Sequence, residues 1–528
     1  MMKKNILIIW GAAALILLAG ACTKNFEQYN SNPYGVTNDE MLRDGYALRA
    51  ALTGMASAVI SNDVNTTQFT ECLLGGPMAG YLADSNQGFA NTISNFNPTD
   101  NWTNVLLSSN RIIPTFFSNY GDVRNMTDDP IILSIANVVK VAVLHRVADT
   151  YGPIPYSQIG VGGKIQVAYD SQEDAYKHML EDLDAAIKVL AANRGSNINA
   201  SADVVYHGDV SKWAKLANSL KLRLAMRMVY ADRAAAQKAA EEAVASEAGL
   251  LSSNEDNARY DNFNANAKNP FYVVQVEYNG GDSMAAADII AYMNGYNDPR
   301  RAAYFGKSQF EGYDYVGLRH GIVMPANDVM HKYSTVNVKM DDPFVWMNAA
   351  EVAFLKAEAA AVFGFNMGGS AKEFYEEGIR LSFDQWGVAG AEAYIADATS
   401  KPGVYVDPIG SNSYDGSLSD ATIAWEENAD TARKQEKILI QKWIANWLLG
   451  NESWADIRRT GYPHILPATA EGNKSNGLVD SQFGARRMKY PSDEYINNGA
   501  NLRAAVGLLG GPDEMATRTW FDCNPNVK

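Results

Sequence analysis

QKWIANWLLGNESWADIRRTGYP, residues 441–463, sets three tryptophans, two adjacent arginines and a tyrosine in one short run. Rings at that density suit a sugar-stacking platform, an active-site wall or a packed core. The spacing favours the core. Ile440, Trp443, Ile444, Trp447 and Leu448 recur at offsets of 3, 4, 7 and 8, which places them on one face of a helix. Trp454 would fall within roughly 20° of Trp443 if that helix ran on past Gly450. Asp456, Arg458, Arg459 and Tyr462 then read as polar locks at the helix end.

The same periodicity extends through most of the chain. A helical pattern covers about 42–61, and another covers 102–117, where Pro114 is expected to bend or shorten it. The run 131–148 is apolar without internal Gly or Pro and stops at DTYGPIPYSQ, whose Gly and Pro residues read as architecture. Ser171 and Asp174 resemble a capping box ahead of a stripe of Tyr176, Met179, Leu180, Leu183, Ile187 and Leu190. Trp213, Leu216, Ala217, Leu220, Leu224 and Met228 form a second stripe, and 234–248 is an alanine-rich helix closed by Gly249. From 250 to 345, Asn, Gly, Asp, Tyr and Pro dominate, which predicts long ordered loops, one helix near 285–293 and a short hairpin. Two further helices, over 347–363 and after the Gly-rich turn at 368–369, are expected to pair closely through Ala349, Ala350, Ala357 and Ala360, with Trp346 in the core. No regular 34-residue repeat is visible.

The first residues, MMKKNILIIWGAAALILLAGAC, combine a charged start, an apolar run from Ile6 to Leu18 and small residues before Cys22. They read as a secretory signal over 1–21, too short for a comfortable membrane span of about 20 residues. Ala19-Gly20-Ala21-Cys22 resembles a bacterial lipobox, which implies cleavage before Cys22 and a lipid anchor there, with 22–41 as a surface tether and 42–528 as a single domain. The formal charge of −15 argues against nucleic acid and against electrostatic adhesion to anionic lipid, leaving lipid as the anchor. Cys72 and Cys523 leave room for one disulfide or for two buried thiols, and no zinc spacing is present.

Chemistry-bearing motifs are sparse. The histidines at 145, 178, 207, 320, 331 and 464 form no HExxH or paired metal spacing, so no metal site is expected, and solvated or core roles fit them better. Gly306-Lys307-Ser308 lacks the earlier glycine of a phosphate loop, because Arg301 stands there. Gly281-Asp282-Ser283-Met284-Ala285 lacks the last glycine of a nucleophile elbow. No catalytic residue is assigned, although a glycosidase carboxylate pair is left open by the abundance of Asp and Glu.

Six strings in order, FEQYNSNP, DTYGPIPYSQ, GDVSKWAKLANSLKLRLAMR, NDPRRAAYF, NAAEVAFLKAEAA and QKWIANWLLGNESWADIRRTGYP, resemble the SusD/RagB-like outer-membrane nutrient-binding lipoproteins, in the branch that carries ANSLKLRLAMR. The resemblance spans essentially the whole mature chain. It implies a mainly α fold of about four tetratricopeptide-like helix pairs, packed with an irregular helix-and-loop half containing few short strands. It also implies a non-enzymatic lid on a TonB-dependent outer-membrane transporter of the SusC type, lipid-anchored at the cell exterior, which captures a nutrient, usually an oligosaccharide. No cofactor is implied, although relatives can hold structural calcium; no EF-hand loop occurs here. In one departure, Thr23-Lys24-Asn25 precede Glu27, where surface lipoproteins often carry acids directly after the cysteine.

A sugar presents an apolar C–H face and a ring of hydroxyls, which aromatic rings and planar amide or guanidinium groups respectively match. Two loops hold that mixture: 81–102, with Tyr81, Asn86, Gln87, Phe89, Asn95, Asn101 and Trp102, and 310–333, with Tyr313, Tyr315, Arg319, His320 and Tyr333. Tyr81, Asn86, Phe89, Asn101, Trp102, Tyr313, Tyr315 and Arg319 are the candidate ligand contacts. The alternatives are that they only furnish well-packed loops, that the same scaffold receives a peptide or other nutrient, or that the chain is a secreted glycoside hydrolase.

Overall fold

The computed structural model describes residues 45–89, 91–104, 106–107, 112–160, 164 and 166–527. Cys22, the signal segment and the tether lie outside the described residues. Ala51–Lys528 forms one compact unit; of the preceding unit only residues 45–50 are described, of which 46–50 lie in a helix, Tyr46–Ala56.

Among the described residues, eight helices make the paired part: α1 (Pro130–Tyr151), α2 (Gln172–Ala192), α3 (Val210–Arg227), α4 (Arg233–Ala245), α5 (Ala349–Glu358), α6 (Ala371–Gln385), α7 (Thr431–Ala445) and α8 (Gly450–Thr460). They pair in succession, α1 on α2, α3 on α4 and α5 on α6, while α2 also packs on α3 and α5 on α7. This is the tetratricopeptide-like arrangement. The helix starts follow from capping: Ser171 accepts from the Asp174 N–H, Asp209 from the N–H groups of Ser211 and Lys212, and Ser370 forms a full capping box with Glu373. The close approach of α5 and α6 is at Gly378, where an added Cβ would lie 2.7 Å from the Phe354 ring.

Between α7 and α8 the helix breaks. Leu448 takes a φ of +70°, so Trp454 sits on a new helix and does not continue the stripe of α7. All three tryptophans are nonetheless buried. Trp443 Nε1 donates to the Ala79 carbonyl (2.8 Å) and Trp454 Nε1 to that of Ala485 (3.1 Å).

The polar residues of the quoted stretch do more than close a helix. Glu452 accepts from Arg227 Nη2 at 2.7 Å and lies 2.7 Å from His145 Nε2, while Arg227 also reaches Asp149. Arg223 grips Glu351 (2.7 Å), Lys442 meets Asp456 (2.5 Å), and Arg459 bridges Glu358 (2.7 Å) and Asp456 (3.1 Å). Every member is almost fully buried. One ion network therefore ties α1, α3, α5, α7 and α8. Burial alone would raise the Asp456 pKa, but Lys442, Arg459 and Arg227 hold it at about 2, below the usual 3.8.

Strands are few. β1 (Leu82–Asp84) pairs antiparallel with β3 (Ser283–Ala285), and β2 (Ala258–Tyr260) with β4 (Phe344–Met347), with a register shift between Ala258 and Arg259. The hairpin expected within 250–345 is thus replaced by two ribbons, of which β1–β3 ties the middle block to a segment some 200 residues away in the chain. The helix expected over 102–117 is two, Asp100–Thr103 and Ile112–Met126. Pro114 falls in the first turn of the second, where its missing N–H costs nothing. Met347 belongs to β4, and α5 starts after the Asn348 cap. Cys72 is buried and Cys523 exposed, both as free thiols.

Candidate functional site

The two aromatic-and-amide loops named from sequence converge. Leaving β1, the chain turns at Asn86, whose Nδ2 donates to Asp282 Oδ1 (2.9 Å). Asn279 Nδ2 donates to the same oxygen (2.9 Å) and Gln68 Nε2 to Oδ2 (2.7 Å), so one buried carboxylate pins three segments. Next to it, the Gln87 N–H donates to Asn327 Oδ1 (2.9 Å), joining the loop after β1 to the 310–333 loop. His331 Nε2 lies 3.1 Å from the Gly281 carbonyl and closes the ring of contacts. Gln87 is exposed at this junction, and Asn86 and Phe89 are half-buried beside it.

Beneath these loops, Asp84 is buried. Burial pushes its carboxyl up to about 6 from 3.8, against the Ser94 hydroxyl that donates to it and the nearby His320. His320 lies 3.4 Å from Asp288, itself fully buried. The layer under the surface is thus polar, with Asp84 Oδ1 and both His320 ring nitrogens buried without a hydrogen-bond partner among the described residues.

The eight sequence candidates divide. Phe89 meets the edge of Trp102 at 5.3 Å, and Trp102, nearly buried, also meets Phe69 at 5.3 Å. With Asn86 these belong to the loop junction; Asn101 sits on the same short helix as Trp102, and its side chain lies outside the described residues. Tyr313 is half-buried in the 310–333 loop, its N–H donating to the Phe310 carbonyl (3.2 Å). Tyr315 is half-buried beneath Arg301, whose guanidinium lies 5.7 Å from its ring centre.

Two candidates require correction. Tyr81 has no exposed surface; it stacks on Trp443 at 5.5 Å, and its hydroxyl bonds to Ser453 Oγ (2.8 Å) and the Trp443 carbonyl. Arg319 is a buried clamp, donating to the carbonyls of Asn412 (3.0 Å) and Pro467 (2.6 Å). Both face inward because a long side chain with a polar tip can cross a core and be satisfied at its far side. What sequence reasoning missed is Asp282 and its amide partners Asn279 and Gln68. In sequence Asp282 belongs only to an incomplete nucleophile elbow, and no local pattern shows that an acid in an irregular stretch will be buried among amides. Ser283 is itself buried in β3, its hydroxyl accepting from Gln275 Nε2 (2.7 Å). Among the described residues no group of three His, Cys, Asp or Glu side chains is placed to hold a metal ion.

The family model described as "SusD-like: Susd and RagB outer membrane lipoprotein" matches residues 28–522. The chain belongs to the SusD-like family. A SusD homologue from Bacteroides uniformis is 54% identical, with a TM-score of 0.89 over 91% of this chain and 100% of that one. One from Bacteroides ovatus is 40% identical, with a TM-score of 0.85 over 91% and 100%. A SusD homologue from Flavobacterium johnsoniae described as chitin-binding is 34% identical, with a TM-score of 0.84 over 90% and 99%. No curated protein matches the chain. The SusD-like match accounts for the helix pairs and the 441–463 stretch together, and the family is one of outer-membrane lipoproteins.

Proposed function

We propose that this SusD-like chain is a cell-surface oligosaccharide-binding lipoprotein, anchored through lipid on Cys22. In this reading it binds glycan without cleaving it and passes it to a TonB-dependent transporter of the SusC type. The observation that carries the binding surface is the junction at Gln87 and Asn327, where two loops rich in aromatic and amide groups meet. Phe89 offers a ring edge-on to Trp102, and Asn86, Gln87 and Asn327 offer planar amides for adjacent sugar hydroxyls. The chitin-binding description of the Flavobacterium homologue supports an oligosaccharide ligand.

The test is a pair of substitutions, Phe89→Ala and Gln87→Ala, measured by affinity electrophoresis in gels containing candidate polysaccharides. Loss of one ring contact is expected to weaken binding about tenfold. Retardation that both variants retain in full would remove the loop junction as the binding surface. Co-extraction of a TonB-dependent barrel with the lipoprotein tests the transporter partnership separately.

A further inference from the structure

Away from the loop junction, a cleft of about 220 Å³ opens between β2, β4 and the α7–α8 break. Its walls include Trp386, Trp447, Phe271, Arg259, Gln385 and Asn337. The end of the quoted stretch therefore contributes to a cavity as well as to the core, since Trp447, Leu448 and Leu449 all line it. Trp386 and Phe271 supply apolar rings. Gln385 Oε1 accepts from Asn257 (3.1 Å), leaving its amide N–H groups to donate, and Asn337 Nδ2 donates to the Ala302 carbonyl (3.0 Å), leaving its oxygen to accept.

Arg259 is the distinctive member. Nearly every other arginine of the protein's interior meets a carboxylate or carbonyl, as Arg223, Arg227, Arg300 and Arg459 do. Arg259 is half-buried, and among the described residues no carboxylate lies within ion-pair distance of its guanidinium and no acceptor within hydrogen-bond distance. It also stands at the register shift between β2 and β4, the kind of irregularity that re-aims a side chain. Asp342 also lines the cleft, but it is not in ion-pair distance of Arg259 and its Oδ2 accepts from the Lys339 N–H (2.8 Å). In a chain with 60 acidic and 45 basic residues, a cleft arginine without an acid in reach is poised for an anion from outside.

We propose that this cleft is a second ligand site, taking a single sugar unit that carries a carboxylate. The ring face lies on Trp386, the carboxylate meets the Arg259 fork, and Gln385 and Asn337 receive hydroxyls. The volume suits one ring and not an extended chain, so the site reads a charged residue or chain end while the loop junction binds the body of a glycan. This inference does not rest on the loop-junction reading.

The test is isothermal titration of the full chain, purified in detergent, with D-glucuronic acid, D-glucose and glucose 6-sulfate, repeated for Arg259→Gln, Arg259→Lys and Phe89→Ala. Glucuronic acid should bind the wild type and Phe89→Ala equally. Binding should weaken about tenfold or more in Arg259→Gln, be partly kept in Arg259→Lys, and fall as salt is raised. Glucose should bind at least about tenfold more weakly than the acid. Absence of glucuronic acid binding, equal binding of glucose, preference for the sulfate, or indifference to Arg259→Gln would each overturn the assignment. Loss of polysaccharide retardation in Phe89→Ala with glucuronic acid binding intact would show the two sites to be separate.

Discussion

Glu452→Gln is expected to lower the unfolding free energy by about 3–5 kcal/mol, because it removes the charge shared by two buried arginines and leaves a competing N–H2 among donors. The carboxylate lies within 2.7 Å of both Arg227 Nη2 and His145 Nε2, and 3.5 Å from Arg223 Nε. Urea titration at neutral pH measures the loss; a change below about 1 kcal/mol, typical of an exposed pair, would contradict the network described for α1, α3 and α8. The same network sets an acid limit. Burial opposes the charge on Glu452, but Arg223, His145 and Arg227 outweigh it and hold its pKa well below 4.5, and Asp456 lies at about 2 against 3.8. Both folded-state values are depressed, so their stabilisation is fully present above the unfolded values of 4.5 and 3.8 and is lost as pH falls through the depressed folded-state values, about 2 for Asp456. Glu452→Gln should therefore flatten the acid arm of the stability profile as well as lower it.

Gly450→Ala is expected to cost about 3 kcal/mol although it adds a better helix former at the first position of α8. The added Cβ would stand 2.4 Å from the Gly75 carbonyl carbon and 2.5 Å from its oxygen, and the facing Gly75 has the same problem against the Asn451 nitrogen at 2.8 Å. Both clashes are with backbone, which cannot rotate away. Gly121→Ala is the control: it lies inside the helix Ile112–Met126 with nothing within 4 Å of its added Cβ, and should stabilise by about 0.5–1 kcal/mol. Thermal unfolding of the two variants separates a glycine demanded by close approach from one that is merely helical. Equal effects would mean that α8 does not press on the 75–76 backbone.

The helices were legible because their signal is local. The stripe beginning at Tyr176, the Ser171 cap and the uninterrupted apolar run into Tyr151 all report on chain within a few turns. Burial of Trp443 and Trp447 follows from the same spacing, whereas Trp454 is buried from a separate helix. The break at Leu448 did not, since a left-handed leucine is imposed by the packing of α8 against the 75–76 backbone and leaves no pattern in the neighbouring residues. The polar locks at Asp456 and Arg459 read as polar at a helix end, but Lys442 meets Asp456 only because the chain breaks between α7 and α8, and Glu358 on α5 lies about 100 residues away, so neither partner shows in local spacing. Site residues fared according to the same rule. Composition located two loops, and the structure brings them together through Gln87 and Asn327, yet it could not separate Phe89 from Tyr81 because an aromatic residue in a loop and one beneath it look alike. Asp282 escaped notice because its role depends on amides supplied by Gln68 and Asn86 about 200 residues earlier.

Binding without cleavage at the cell surface is the central proposal. Its most direct test is calorimetric titration of the purified full chain against a panel of oligosaccharides that includes chitin fragments and peptides of matched length, with reducing ends assayed in the same samples over a range of pH. The predicted result is saturable binding of at least one oligosaccharide with a Kd between about micromolar and millimolar, no new reducing ends, and no comparable peptide binding. Release of reducing ends that a single Asp or Glu substitution abolishes, or binding confined to peptides, would contradict it.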